Sequence, residues 1–439
     1  MKTKKFSIFV ILTVLCLVFC TACANGEDRQ TKQNTGGTVS EQGNAASEGT
    51  ARTEAESGNT VPEGTDQAET EPETTKEPEK SEAGLTGKTY DAGVFLMTKE
   101  NVKLLGRTWL NNDIRWCSYS ASGVEFVFTG RKCTFSLRAD SMFEQKNHQA
   151  RYAIYVDDEL VVDEMMDKGI KEVPVLDLDN AGEHVIRFVK LSESSDSSLG
   201  IQYIICDEEA VVAPTDEKEL KIEFVGDSIT CGYGVDGVLG DTYSTSNEDA
   251  TKAYAYLTAR RLEADYSLVS LSGHGIISGY TSDGTKQEKQ AMPLYYEKAG
   301  SSYGTAGGLS PAEVDWDFSF VPDVVVINLG TNDNSYTGSD AARKEEYVQG
   351  YVDFLKLVRE RNPEAEIVCT LGVMGQELCP QIEEAIESFT TETGDTRVHF
   401  VKLDVQAYAN GWAVDYHPTA ASHEHAAEQM TEAIEAILQ

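Results

Sequence analysis

Cationic residues are scarce: 37 Lys and Arg stand against 73 Asp and Glu in 439 residues, a net charge of -36. A chain this acidic repels a polyphosphate at physiological salt, which excludes nucleic acid as a partner. Long apolar runs are also missing. The run over 6–19, behind Lys2, Lys4 and Lys5, has about 14 residues where a membrane span needs ~20, so it fits the h-region of an export signal instead. Aromatic residues are absent from all of 24–84, and large aliphatic ones nearly so. Such a stretch cannot offset its ordering entropy by burial, which excludes a packed domain there. Of nine cysteines, the six beyond this stretch, Cys117, Cys133, Cys206, Cys231, Cys369 and Cys379, contain no C-x-x-C pair. They allow up to three bridges in an oxidising compartment, but they are sparse and sit mostly in apolar runs, which favours buried free thiols.

What is present divides the chain into four parts. Residues 1–23 end in L-V-F-C-T-A-C, which resembles a bacterial lipobox with Cys23 as the lipidated first residue of the mature protein. Residues 24–86 read as a disordered acidic linker, extended by its excess of Glu and suited to holding a folded part away from a membrane. Over 88–212, short strand-like runs recur, among them V-E-F-V-F from Val124, C-T-F-S-L-R from Cys133, R-Y-A-I-Y-V from Arg151, H-V-I-R-F-V from His184 and I-Q-Y-I-I from Ile201. No run has a helical period, and this region is expected to be an all-β sandwich of jelly-roll type. Over 215–439 the pattern changes. Apolar strands at 221–225, 266–271, 323–329, 366–371 and 397–403 alternate with helical segments near 250–262, 341–361, 379–393 and 420–438. That alternation predicts an α/β fold with a doubly wound parallel sheet, in which ligands bind beyond the carboxyl ends of the strands.

Polar clusters stand at those ends. The first strand runs into F-V-G-D-S-I-T-C-G-Y-G, with Ser228 in a Gly-containing turn as a nucleophile; the second into L-S-G-H-G-I, where Gly273 offers a backbone N–H. The third runs into N-L-G-T-N-D-N, where Asn332 offers a neutral amide, and D-Y-H-P places His417 before the last helix as a general base. Nucleophile, base and an oxyanion hole made from Ser228 N–H, Gly273 N–H and Asn332 are what ester hydrolysis needs. Asp227 and Asp333 are expected to bind loop amides.

Over about the last 225 residues these four blocks resemble the SGNH, or G-D-S-L, hydrolases, whose Ser, Gly, Asn and His are matched by Ser228, Gly273, Asn332 and His417. The resemblance implies a flavodoxin-like catalytic domain. With W-D-F-S followed by P-D-V-V-V-I-N-L-G-T-N-D, and an upstream β-rich region opening with L-L-G-R, the chain is similar to carbohydrate esterase family 2. That family implies removal of acetyl groups from plant polysaccharides and sugars, with no metal or organic cofactor.

One position departs from the SGNH pattern. The triad carboxylate belongs three residues before the histidine, where this chain has Val414; Asp415 is two before His417. Either Asp415 or a backbone carbonyl then orients the imidazole. Trp412 and Tyr416, nearest His417, are the leading platforms for a sugar ring, and Tyr233 and Tyr336 also lie near the blocks. His417, His423 and His425 beside Asp415 match no firm zinc spacing, and Cys231 has no catalytic role. The expected protein is a lipid-anchored, cell-surface carbohydrate acetylesterase that acts on an acetylated polysaccharide or oligosaccharide and meets a membrane only through its anchor. Its rivals are a lipid or thioester hydrolase of the same fold and a non-catalytic glycan-binding lipoprotein.

Overall fold

The computed structural model describes residues 91–439. The expected signal, Cys23 and the acidic linker lie outside the described residues. In the upstream part, ten strands between Val94 and Pro214 hydrogen-bond into one antiparallel sheet. The runs from Val124 and Cys133, read from sequence as separate strands, form a single strand, Gly123–Ala139, paired along its length with Ile170–Lys190. Register shifts around Gly130–Lys132 bend this pair back on itself. Phe126 and Phe135 are nine residues apart, which straight would be about 30 Å, yet their ring centroids are 6.0 Å apart. Two layers therefore arise from one folded-over sheet, and Phe126, Phe128, Phe135, Leu137, Phe188 and Ile204 fill the space between them.

The downstream part holds the expected parallel sheet, with strands numbered here β1 (Lys221–Gly226), β2 (Asp265–Ser270), β3 (Val324–Asn328), β4 (Glu366–Val373) and β5 (Val398–Val405). Their spatial order is β2-β1-β3-β4-β5, the flavodoxin-like order whose switch point lies between β1 and β3. Strand side chains alternate between faces. Val325 and Ile327 pack with Tyr347, Tyr351, Leu355, Ile382 and Phe389, whereas Val324 and Val326 pack with Tyr254, Ala255, Ala427 and Met430. Six helices accompany the sheet: α1 (Ser228–Cys231), α2 (Tyr254–Arg261), α3 (Thr331–Thr337), α4 (Ala341–Arg361), α5 (Cys379–Thr393) and α6 (Ala420–Ile437). Helices α4 and α5 cover one face, and α2 and α6 the other. Among the described residues no helix is long and apolar enough to cross a membrane.

The two parts are joined through Arg107, the last residue of L-L-G-R. Its side chain is fully buried and meets Glu223 of β1 at 3.1 Å. It also donates to the carbonyls of Tyr296 and Lys298, and its guanidinium lies 5.2 Å from the Tyr296 ring centroid. Glu223 accepts further bonds from Tyr296 Oη at 2.9 Å and Ser267 Oγ at 3.2 Å. All six cysteines of the described residues are free thiols; five are buried and Cys206 is half-buried.

Removing one partner of a buried pair leaves the other charge uncompensated, so Arg107→Met is expected to lower stability by about 3–5 kcal/mol. The midpoint and slope of urea unfolding check this. A loss below about 1 kcal/mol would mean that the pair does not join the two parts.

Candidate active site

Strand β1 delivers its chain into a turn capped by Asp227. The Asp227 carboxylate accepts from Ile229 N–H at 3.0 Å and so starts α1 at Ser228. Within the turn expected from the sequence, Ser228–Cys231 form one short turn of helix. Ser228 Oγ lies 2.8 Å from His417 Nε2, across 189 residues of sequence. Among the described residues its backbone N–H has no acceptor, since the residue opens the helix.

Gly273 follows β2 with φ of +74°, and its N–H likewise has no acceptor among the described residues. An added Cβ would meet nothing within 4 Å. The glycine is therefore required by its left-handed backbone, and the side that a ligand would occupy is open. Asp333 fixes the rest of this loop, taking the N–H groups of Ile276, Ile277 and Ser278 at 2.9, 2.8 and 3.1 Å. Asn332 Nδ2 donates to Asp227 Oδ2 at 3.1 Å and to the His274 carbonyl at 2.8 Å. Both of its hydrogens are engaged, so it serves an oxyanion only by giving up one of these bonds. Asp227 and Asp333 are both amide acceptors, as expected. Burial pushes their carboxyls up, to about 7 and about 6.

The structure brings Ser228, Gly273, Asn332 and His417 together and places Asp415 elsewhere. The His417 Nδ1 partner is the Val414 carbonyl at 3.1 Å, whereas the Asp415 carboxylate accepts from Tyr233 Oη at 3.0 Å. Asp415 is thereby corrected from the orienting carboxylate to a neighbour of it. The cause is the backbone: Asp415 and Tyr416 both adopt positive φ, 50° and 63°, which turns the Asp415 side chain away and folds the Val414 carbonyl under the ring. The Nδ1 contact to a carbonyl assigns the proton to Nδ1 and leaves Nε2 as the acceptor facing Ser228. Burial holds the His417 pKa below the ordinary 6.5, partly offset by the Val414 bond and the Asp415 charge.

Sequence reading did not find the ring stack beneath the base. Tyr233 lies 4.3 Å from the His417 ring centroid, and Tyr243 is stacked on Tyr233 at 3.9 Å and 5°. Trp412 and Tyr416 meet edge to face at 6.0 Å, and Tyr408 joins Trp412 at 5.1 Å. Tyr416 and Tyr408 are exposed, 60% and 81%, making an aromatic rim beside the base. Tyr408 had no nearby motif to mark it. Among the described residues His423 and His425 form no ligand cluster with His417. His423 is buried and accepts from Tyr254 N–H, while exposed His425 lies 3.1 Å from Asp404. Cys231 is buried at 3.2 Å from Ser270 Oγ, and burial raises its thiol pKa far above the usual range. Cavities of about 640, 400 and 360 Å³ among the described residues include no residue of the Ser228 site.

A hydroxyl polarised by a neutral imidazole beside two unused amide N–H groups is equipped for acyl transfer. The GDSL-like lipase/acylhydrolase family model matches residues 224–425, and the carbohydrate esterase 2 N-terminal model matches 104–215. Cellulase/esterase CelE of Acetivibrio thermocellus is 30% identical over 72% of this chain, which spans only 37% of that relative's length. An acetylxylan esterase / glucomannan deacetylase of Cellvibrio japonicus is 25% identical over 77% of this chain and 89% of its own. The structure of a family two carbohydrate esterase from Clostridium thermocellum in complex with cellohexaose has a TM-score of 0.65 at 28% identity, covering 77% of this chain and 99% of that one.

Because Val414 orients the imidazole, Asp415→Asn is expected to keep the rate of Ser228 phosphonylation by a fluorophosphonate within about tenfold of wild type. Loss of a true triad carboxylate costs on the order of 10⁴-fold. The neutral base is lost as pH falls through its lowered pKa, so the acid limb should have its midpoint below pH 6.5. A 10⁴-fold loss in Asp415→Asn would restore the carboxylate to the triad.

Proposed function

We propose that the chain, in which a carbohydrate esterase 2 N-terminal match precedes a GDSL-like lipase/acylhydrolase match and whose relatives are named as esterases, is a carbohydrate acetylesterase. Its substrates in this reading are O-acetyl esters on acetylated xylan, glucomannan or related oligosaccharides. The 2.8 Å contact of Ser228 Oγ with His417 Nε2, beside the free N–H groups of Ser228 and Gly273, carries the reading. The names of the relatives supply the substrate class.

In this mechanism His417 Nε2 takes the hydroxyl proton as Ser228 Oγ bonds to the acetyl carbonyl carbon. The negative oxygen of the tetrahedral intermediate rests on the N–H groups of Ser228 and Gly273, with Asn332 as a third donor if its bond to His274 exchanges. Collapse breaks the bond to the sugar oxygen, which leaves with the proton from His417. Water then attacks the acetyl-Ser228 ester by the same proton route in reverse and releases acetate. The Val414 carbonyl steadies the imidazolium formed in both halves. The aromatic rim of Tyr408, Trp412 and Tyr416 supports a glycan, because apolar sugar faces pack on aromatic planes.

The same proposal includes the parts outside the described residues: a lipoprotein signal over 1–23 with lipidation at Cys23, and a tether over 24–86 that holds the enzyme at the outer face of the cell membrane. It also includes a jelly-roll reading of 88–212 ahead of the hydrolase over 215–439.

Acetate release from acetylated xylan, acetylated glucomannan and 6-O-acetyl sugars tests it. Wild type is expected to be active, and Ser228→Ala and His417→Ala to lose about 10³-fold or more in kcat. A folded wild type that releases no acetate but cleaves longer acyl esters or thioesters would replace this reading with the lipid or thioester hydrolase.

A further inference from the structure

The run L-S-E-S-S-D-S-S over 191–198 has the composition of an exposed linker, yet seven of its eight residues are buried and Ser195 is half-buried. It belongs to the β-rich part and enters beneath the active site. Lys190 Nζ, also buried, donates to the carbonyls of Ser192 and Glu193 at 2.6 and 2.9 Å and fixes the bend that starts the run. Glu193 is 2% exposed, and its Oε2 accepts from the N–H of Ser272 at 2.8 Å.

Ser272 is the residue before Gly273. The direction of the Gly273 N–H depends on the peptide plane before it, so whatever holds Ser272 aims this donor. The loop is gripped at both ends by buried carboxylates: Asp333 takes three N–H groups after Gly273, and Glu193 takes one before it. The first grip comes from the hydrolase and the second from the other part of the molecule.

The cluster around Glu193 also reaches the base. Glu193 N–H donates to Glu248 Oε2 at 2.9 Å, and the same oxygen lies 2.9 Å from Tyr243 Oη, which lies 2.7 Å from Asp196 Oδ2. Tyr243 stacks on Tyr233, and the Tyr233 ring lies against His417 at a tilt of 34°. From one buried loop, then, one contact leads to the oxyanion side and one to the imidazole side.

We propose that Glu193 is a positioning residue for catalysis: as acceptor for Ser272 N–H, it holds the Gly273 N–H on the oxyanion. The inference rests on the ester-hydrolase reading above, and Glu193 itself touches no substrate. Its role is that of an acceptor oxygen and not of a charge. Burial, together with the Asp196 charge, pushes its carboxyl up to about 7. Glu248, Asp196, Cys231, Tyr243 and Lys190 share its surroundings. A protonated carboxyl keeps a carbonyl oxygen for Ser272, and so does an amide.

Three variants separate reach from charge. Glu193→Gln keeps the acceptor and removes the charge, Glu193→Asp keeps the charge and withdraws the acceptor by one methylene, and Glu193→Ala removes both. Wild type and variants are compared for kcat and KM in acetate release, for the rate of Ser228 labelling by a fluorophosphonate, and for thermal unfolding. Loss of one oxyanion donor costs about 10²–10³-fold in kcat. E193D and E193A are therefore expected to fall toward that range in kcat and labelling, with KM within about threefold of wild type and E193Q within about fivefold in kcat. If E193A fails to fold, E193D against E193Q decides. Folded E193D matching wild type, or E193Q as impaired as E193D, would overturn the acceptor role. Wild type that is labelled but releases no acetate would overturn the substrate reading alone, with Glu193 judged by labelling rates. Wild type that is not labelled would overturn both.

Discussion

The contact between Arg107 and Glu223 is the constraint on which the rest of the molecule depends. It places a charge from the β-rich part against β1, the strand that delivers Ser228. The Arg107 guanidinium is shut away from water, and its charge and both terminal nitrogens are matched from two segments: Glu223 on β1, and the carbonyls of Tyr296 and Lys298 in the long connection after β2. Such a group tolerates one relative placement of its partners. The two parts are thereby registered to each other closely enough for the loop from 191 to 198 to reach the turn at Gly273.

The site is built with buried carboxylates that do no acid-base work. Asp227 caps the helix of the nucleophile and holds Asn332, Asp333 gathers three amides of the oxyanion loop, and Glu193 takes the amide before Gly273. Each satisfies backbone donors that would otherwise be buried without a partner. The reacting pair is left short of negative charge. His417 is oriented by a carbonyl, and the Asp415 carboxylate, bonded to Tyr233, acts on it through space.

Much of this was legible in the sequence. The strand and helix alternation over 215–439 placed all five strands of the parallel sheet, because buried parallel strands leave continuous apolar runs. The Ser228, Gly273, Asn332 and His417 blocks stood at strand ends, where the topology must gather them. What was not legible depended on contacts between distant segments. The Ser-rich run over 191–198 carries no apolar signal, and only its partners, Ser272, Glu248 and Tyr243 among them, explain its burial. Gly123–Ala139 read as two strands because a fold-back and a break leave the same turn residues in the sequence. Asp415 was ambiguous because a two-residue offset specifies a direction only once φ is known.

The turn of Asp415 and Tyr416 illustrates how an enzyme spends conformational energy. Two consecutive residues with side chains stand in the left-handed region, at about 1–2 kcal/mol each relative to an ordinary backbone. The strain holds the Val414 carbonyl under the imidazole, and the surrounding fold has to sustain it in every resting molecule. Glycine at either position would keep the same turn without a Cβ, so the aim of the ring is held by the fold packed around the turn and not by the preference of the two residues themselves.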